Sequence, residues 1–212
     1  MPSTLVHLGL AALIATALLG DEFDGRALGI VLLVVALPDL DTVIGLWWAG
    51  AHRAVLHNLW VVVLPAVAVV WDTRLRRRSW LRRRWGDRGV HLAWVALVAV
   101  LLAQIAMDAF FNGVNLFYPI HDAFIDLSGE IYLSSRDGFV QTFVDLGEPD
   151  GAVRGSTDDV HYRTGVDPAP SGESDAGRER RFPLADDGML FVVMASGYLV
   201  AGYRLLAGRS SR

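Results

Sequence analysis

The sequence predicts an all-α integral membrane protein, a bundle of four to five transmembrane helices with a polar extracytoplasmic insert. Three observations support this fold class. The 212 residues are 53% hydrophobic, and the mean hydropathy of +0.37 is high for a soluble domain. Several apolar segments approach the roughly 20 residues that cross a ~30 Å hydrocarbon core. One short connection between two of them is densely basic, as cytoplasmic loops are.

Five segments are predicted as membrane spans. They are Leu5–Gly20, Ala27–Trp48, Val55–Trp71, Val90–Met107 and Met189–Leu206. The second is interrupted by a Pro-Asp-Leu-Asp sequence. The first also has the length of a secretory signal, but residues 1–4 carry no basic side chain and the cleavage pattern is poor. An uncleaved helix is therefore the preferred interpretation.

The orientation of the bundle follows from eight arginines in the connection between the third and fourth segments. They are Arg74, Arg76, Arg77, Arg78, Arg82, Arg83, Arg84 and Arg88. Short basic loops stay in the cytoplasm, so residues 73–88 are predicted to face inward. Residues 39–57 and 108–187 then lie on the outer face. Flanking apolar helices disfavour a nucleic-acid partner, and an anionic-lipid contact is compatible with either interpretation. The expected partner is the lipid bilayer.

Composition also limits the chemistry and divides the chain. There is no cysteine, so disulfides and thiolate metal sites are excluded and any metal needs nitrogen and oxygen ligands. Residues 1–127 are predicted to form the helical membrane domain that carries the site. Residues 128–188 form an acidic Gly/Ser/Pro-rich insert, partly disordered, and residues 189–212 a last transmembrane helix with a short basic tail.

Within the insert, Ile131–Leu133 and Phe139–Val144 are predicted to form a short hairpin or helix. Residues 150–181 have few aliphatic side chains and clustered charge, which is typical of a mobile loop. His161 is predicted to be a surface residue because no partner stands at ligand spacing. His121 and Asp122 are interpreted as an exposed loop pair.

Aspartates beside apolar segments need compensation, because each costs roughly 2.5–3.5 kcal/mol at a helix centre. Asp39 and Asp41 would point about 200° apart on a regular helix. Pro38 breaks that helix, so both carboxylates can turn toward one cavity. A solvated turn at the membrane interface is an equally good interpretation of these residues taken alone.

His52 and His57 are five residues apart, about 140° around a helix. Both can face the aspartate pair if His52 lies in a loop and His57 in the first turn of the third span. Arg53 would share a helix face with His57 and either hold an anionic substrate group or pair with an aspartate. Asn58 could support His57 by hydrogen bonding. An interfacial His/Arg belt is the alternative.

Gln104 and Asp108 are four residues apart, which predicts one shared helix face near the outer end of the fourth span. A buried aspartate there needs a partner. His7 is included among the candidate site residues because its predicted membrane depth is the same as that of the others. The aromatic residues of Phe117-Tyr118-Pro119 are expected to form an interface belt.

In order and spacing, these residues resemble the membrane-bound metal-dependent hydrolases, also described as LexA-regulated inner-membrane hydrolases (YdjM-like). The shared pattern covers about residues 1–120. Its matching residues are His7, Pro38, Asp39, Asp41, His52, Arg53, His57, Asp108, Gly113, Val114 and Pro119. Gln104 stands where the family has a histidine, and an amide oxygen is a poorer zinc ligand than imidazole.

The resemblance implies a hydrolase. Its expected ligands for one or two divalent ions are His7, Asp39, Asp41, His52, His57 and Asp108, with Gln104 in the place of a further one. Zinc is the first choice of ion, with manganese or magnesium as alternatives. Asp41 is expected to act as general base and Arg53 to bind a phosphate or carboxylate.

The predicted substrate is an ester or phosphoester, amphiphilic because the site lies at the bilayer edge. Two other functions compete with hydrolysis. One is metal or proton transport, which usually places ionisable groups along the whole membrane depth. The other is a stress-linked membrane protein whose site has decayed, for which the glutamine at position 104 is the hint.

Overall fold

The computed structural model describes residues 2–143, 153–169, 177 and 179–210. The described chain is mostly helical. In chain order its elements are α1 (Thr4–Leu18), α2 (Gly25–Ala36), α3 (Asp41–Ile44), α4 (Trp60–Val70), α5 (Trp80–Ala99), α6 (Met107–Phe111), β1 (Ile131–Ser134), β2 (Gly138–Gln141) and α7 (Gly188–Ser210). Turns of 3-10 helix occupy Gly20–Glu22 and Pro38–Leu40, and π-helices follow α4 at Trp71–Leu75 and α5 at Val100–Ala106.

Three stretches of helix are long and apolar enough to cross a membrane among the described residues. They are Gly25–Ile44, Trp80–Phe111 and Gly188–Gly208, which correspond to the second, fourth and fifth predicted segments. The first predicted segment is the apolar helix α1, which has 15 residues. The third begins later than predicted, at Trp60, because residues 51–59 form turns.

Local sequence explains where several helices begin. Ser3 caps α1 by accepting a hydrogen bond from the backbone N–H of Val6, and Asp24 caps α2 by accepting one from that of Ala27 at 2.8 Å. Ser79 caps α5 in the same way. Short oxygen-bearing side chains stabilise these positions because they satisfy N–H groups that have no partner inside the helix.

The chain divides into two compact units. The first, here called the site unit, contains Asp39–Asn58 and Ile105–Phe182. The second, here called the helical unit, contains Pro2–Pro38, Leu59–Gln104 and Pro183–Arg212. In the helical unit α1 packs against α2, α5 and α7, while α5 also contacts α2 and α4.

The site unit adds a small sheet to the predicted all-α fold. Strands β1 and β2 pair antiparallel with Ile131 opposite Gln141 and Ser134 opposite Gly138. The prediction of a hairpin in this region is therefore confirmed. Gly138 has φ of 71°, which a glycine adopts at little cost at the end of a tight turn.

Residues 153–169, one described stretch of the insert, are hydrogen-bonded within the site unit. Thr157 donates from its hydroxyl to Asp122 at 2.6 Å, and the backbone N–H of Arg154 donates to the carbonyl of Phe124 at 2.9 Å. Mobility of the loop over residues 150–181 stays a prediction. Residues 150–152, 170–176 and 178 of the predicted loop lie outside the described residues. His161 is exposed, as predicted.

Close packing of α1 on α7 generates the first testable prediction. A Cβ added to Gly197 would overlap the backbone of Gly9, so Gly197→Ala is expected to destabilise the protein. Overpacking costs about 1–3 kcal/mol, which exceeds the gain of up to ~1 kcal/mol from replacing a helical glycine by alanine. Thermal unfolding in detergent, followed by circular dichroism, measures the change.

The matched control is Gly202→Ala in the same helix, where nothing lies within 4 Å of an added Cβ. That variant should be slightly more stable than the parent protein. If the two variants unfold at the same temperature, the close approach of the two helices is contradicted.

Candidate functional site

Asp41 is the centre of the candidate site. It is the first residue of α3 and its side chain is completely buried. Its Oδ1 accepts a hydrogen bond from His52 Nδ1 at 2.7 Å, and its Oδ2 accepts from His57 Nδ1 at 2.7 Å. A carboxylate only accepts hydrogen bonds, so both rings carry a proton on Nδ1. The two imidazoles are thereby fixed in tautomer and orientation by one aspartate.

The backbone at Arg53 belongs to the same arrangement. Its φ of 64° is left-handed, and a non-glycine residue pays of order 1–3 kcal/mol for such a conformation. Two hydrogen bonds hold it: the Arg53 N–H donates to Asp41 Oδ2, and the Arg53 carbonyl accepts from the Asn115 N–H, both at 2.9 Å. The turn between the two histidines is therefore built around the Asp41 carboxylate.

His57 is surrounded by carboxylates on both sides of its ring. Its Nε2 lies 3.4 Å from Asp39 Oδ1 and 3.4 Å from Asp108 Oδ2. His57 and Asp108 are buried, whereas the Asp39 side chain is 21% exposed. The prediction that these acidic residues and His57 lie together is confirmed, and Asp39 forms the edge of the cluster that reaches solvent.

The Arg53 guanidinium is buried and occupied by protein groups. Its Nη2 lies 3.1 Å from Asp108 Oδ1. In the amide orientation that satisfies both polar atoms of Asn112, the amide oxygen accepts from Arg53 Nη1 at 3.1 Å. Of the two predicted roles for Arg53, the structure shows pairing with an aspartate.

Tyr162 was missed by sequence reasoning, although it lies against the site. Its ring packs under the Arg53 guanidinium at 4.7 Å and meets the His52 ring edge-on at 6.0 Å. Its hydroxyl donates to the carbonyl of Asn112 at 2.6 Å. Burial raises the pKa of the phenol, so it remains a donor at neutral pH. The available signal was that Tyr162 is the one Phe, Tyr or Trp between residues 144 and 181.

A further polar group ties the insert to this unit. Asp122 accepts from the amide of Asn115 at 2.6 Å and from the hydroxyl of Thr157 at 2.6 Å. Both His121 and Asp122 are exposed, as predicted. Asp122 nevertheless connects the turn after α6 with the described part of the insert.

His7 and Gln104 belong to the helical unit. Both side chains are buried. His7 Nδ1 lies 2.6 Å from the carbonyl oxygen of Ala103, the neighbour of Gln104. A carbonyl oxygen accepts, so the Nδ1 of His7 carries the proton, as in His52 and His57. Participation of His7 and Gln104 in metal binding stays a prediction.

One local prediction about a helix face is wrong. Arg53 and His57 do not share a helix face, because residues 51–59 form turns in which Asn58 donates from its amide to the carbonyls of Ala54 and Val55, each at 2.9 Å. The spacing of Gln104 and Asp108 assumed a regular α-helix. Gln104 belongs to the helical unit and Asp108 to the site unit, and their common face stays a prediction.

Within the described residues, no group of three or more His, Asp or Glu side chains is arranged to hold a metal ion. The hydrogen bonds of Asp41 give a physical reason for part of this result. Both of its oxygens accept from ring N–H groups, so Asp41 supports the imidazoles in this geometry instead of standing beside them as a ligand.

Comparison with known families agrees with the resemblance carried by the motif residues. A family model described as YdjM inner membrane protein matches residues 1–156, and the chain belongs to this family. No curated protein and no solved structure gives a significant match. The family name and the apolar helices together give the protein a membrane location. The match ends before Tyr162, so this aromatic residue lies outside the part of the chain that defines the family.

Removing the acceptor at the centre of the site should destabilise the protein strongly. In Asp41→Asn one oxygen is replaced by an NH2 group that faces an imidazole N–H donor. Breaking a buried charged pair typically costs about 3–5 kcal/mol. Thermal unfolding in detergent measures the loss, with Asp137→Asn on the exposed hairpin as the matched control. Equal unfolding temperatures for the two variants would contradict the central role of Asp41.

The contacts of Tyr162 predict a graded response to substitution. Tyr162→Phe keeps the ring under Arg53 and removes the hydroxyl hydrogen bond, a loss of about 1 kcal/mol. Tyr162→Leu also removes the cation–π contact, for a further ~0.5–2 kcal/mol. The exposed hairpin residue Tyr132 provides the control substitution Tyr132→Leu. If Tyr162→Leu and Tyr132→Leu lowered the unfolding temperature equally, a stabilising role for the contacts of Tyr162 would be contradicted.

Proposed function

We propose that this membrane protein is a hydrolase that uses a divalent cation to cleave an ester or phosphoester. The single observation that carries the proposal is the pair of buried imidazoles oriented through Nδ1 by the Asp41 carboxylate. Metal-binding histidines commonly donate their other ring N–H to a carboxylate, which fixes the tautomer and the direction of the ligating nitrogen. His52 and His57 have this feature.

Two donor distances at His57 support such an ion, although the three side chains as placed do not form a metal-binding group. Donor atoms about 2.1 Å from a tetrahedral zinc ion lie about 3.4 Å from one another. His57 Nε2 lies 3.4 Å from one oxygen of Asp39 and 3.4 Å from one of Asp108. We therefore assign these three residues as the core of the cation site. Mixed nitrogen and oxygen donors suit zinc first, with manganese or magnesium as alternatives.

The other residues of the site unit have supporting roles in this proposal. We assign Asp41 to orientation of the rings instead of the general-base role expected from the sequence, because its oxygens already accept hydrogen bonds. Arg53 offsets the buried charge of Asp108, since its nitrogens are directed to Asp108 and Asn112. His52, the other imidazole that Asp41 orients, is assigned to the same ion or a second one.

When bound, a divalent ion lowers the pKa of water and stabilises negative charge that develops on an ester or phosphoester oxygen. The protein's contribution is to exclude solvent from most of the site. His57, Asp108 and Arg53 are each at most 2% exposed. The Asp39 side chain is 21% exposed and only its Oδ1 lies against His57, so Asp39 Oδ2 is the atom we assign to receive the proton of the nucleophile.

The proposal includes the topology expected from the sequence. Helix α4 continues into the π-helix Trp71–Leu75 and runs from Trp60 to Leu75, so α4 and the shorter α1 are proposed as additional spans that bring the total to five. With residues 73–88 in the cytoplasm, Asp39 and His57 lie at the outer surface. A site at that depth favours an amphiphilic substrate such as a phospholipid.

Metal content is the direct test. The detergent-purified protein, loaded with zinc or manganese and then dialysed, is expected to retain the ion by elemental analysis, whereas Asp39→Ala and His57→Ala should bind it at least tenfold more weakly. The exposed histidines provide the matched controls His121→Ala and His161→Ala, which should retain the ion. Equal metal content in all five proteins would overturn the proposed site.

Activity is measured on the same loaded proteins with chromogenic phosphodiesters and carboxylic esters. Hydrolysis that disappears in His57→Ala supports the proposed function. Metal retention without hydrolysis of either class would instead favour the transport alternative, because a transporter binds the ion without activating water.

A further inference from the structure

We propose that residues 71–88 form a binding surface for the phosphate groups of anionic membrane lipids. This segment, here called the Trp/Arg surface, contains eight arginines, two aspartates and three tryptophans. It lies wholly in the helical unit, between α4 and the apolar part of α5. The inference is independent of the proposed hydrolase, whose residues belong to the site unit.

The carboxylate of Asp72 is occupied by hydrogen bonds within the Trp/Arg surface. Its carboxylate accepts from the hydroxyl of Ser79 at 2.6 Å and from the backbone N–H groups of Trp80 and Leu81 at 2.9 and 3.0 Å. The first N–H groups of α5 are therefore already occupied, and side chains are left as the groups that meet an external anion.

Most of the arginines have no acidic partner among the residues that the structure describes. Arg76 lies 3.2 Å from Asp72, Arg82 lies 3.2 Å from Asp87, and Arg88 pairs with Asp24 at 2.6 Å. The other five show no ion pair with any residue in the described ranges. These five are Arg74, Arg77, Arg78, Arg83 and Arg84. The surface thus keeps a large excess of positive charge.

The three indoles adapt this charged surface to a membrane. Trp71 and Trp80 are each 54% exposed and Trp85 is 45% exposed. The Arg76 guanidinium lies 5.7 Å from the Trp71 ring and that of Arg84 lies 5.4 Å from the Trp85 ring. Tryptophan prefers the headgroup level of a bilayer, where its apolar body and polar N–H are both accommodated.

The backbone fixes the arrangement of the indoles. Gly86 interrupts α5 with φ of 70° and ψ of −169°, so the turn from Trp80 to Trp85 is separated by a kink from the rest of the helix. Gly89 has no side chain to hold Trp85 away, since an added Cβ would overlap the Cβ of Trp85. Trp80 then packs edge-on against Trp85 with ring centroids 4.9 Å apart.

Charge and location together favour lipid over nucleic acid as the occupant. Both ligands present phosphate groups, and both can contact tryptophan side chains. This surface, however, directly follows one apolar helix and leads into another, in a chain that belongs to an inner-membrane family. Each basic side chain near an anionic bilayer contributes about fivefold in affinity, so the five arginines without acidic partners suffice for a strong preference.

The test uses the full chain in detergent micelles, where membrane sidedness plays no part. Brominated phosphatidylglycerol and brominated phosphatidylcholine with the same acyl chains are titrated in, and quenching of tryptophan fluorescence is measured. Brominated phosphatidylglycerol should quench the wild-type protein at a concentration at least tenfold lower than brominated phosphatidylcholine. The triple substitution R77Q/R78Q/R83Q removes three of these five arginines and should strongly reduce this difference, and R77K/R78K/R83K should keep it because the charge is retained.

The matched control removes the same charge elsewhere, in R136Q/R180Q/R181Q, and should behave like the wild type. Equal quenching by the two lipids in the wild type would overturn the proposal. Retention of the difference in R77Q/R78Q/R83Q would overturn it as well. A DNA duplex that displaced phosphatidylglycerol from the wild type at equal phosphate concentration would assign the surface to nucleic acid instead.

Discussion

The candidate site depends on one buried carboxylate. An ionised aspartate without water costs several kcal/mol unless its oxygens are fully hydrogen-bonded, and Asp41 meets this requirement through His52, His57 and the backbone N–H of Arg53. This requirement has two consequences. It explains why Arg53 adopts a left-handed backbone conformation, and it fixes a single tautomer for each imidazole. Asp41, the first residue of the short helix α3, and the His-Arg-Ala-Val-Leu-His turn are therefore one structural element.

Sequence reasoning located this element because it started from energetic cost. Asp39, Asp41 and Asp108 beside apolar helices demanded partners, and histidines were the nearest candidates, so the cluster could be predicted without knowing the fold. The turn geometry could not, since no residue type signals positive φ at Arg53 and the apolar run from Val55 suggested an earlier helix start. The role of Asp41 was also beyond the sequence. An aspartate that orients two rings and one that accepts a substrate proton have the same letter and spacing, and only hydrogen-bond geometry separates them.

Tyr162 illustrates a different limit. Its partners, Arg53 and Asn112, lie more than a hundred and about fifty residues earlier in the chain, and its neighbours in sequence are polar residues typical of loops. Periodicity reports on contacts within an element, so it contains no information about such a distant pairing. The family match also stops before this residue. The insert, whose composition predicted a mobile loop, thus provides the aromatic ring that packs on the Arg53 guanidinium, which in turn pairs with Asp108.

Arginine is the basic residue both in the buried candidate site and on the exposed Trp/Arg surface. All 19 basic side chains are arginine, and the buried and exposed examples use different properties of the same group. Arg53 contacts Asp108 and Asn112 through separate nitrogens while its flat face lies on Tyr162, which the single ammonium of a lysine could not do. The arginines of residues 71–88 instead combine charge with stacking on exposed indoles. At both places the guanidinium balances negative charge without giving up contact with an aromatic ring, because its weak hydration allows a planar cation to lie against an apolar surface.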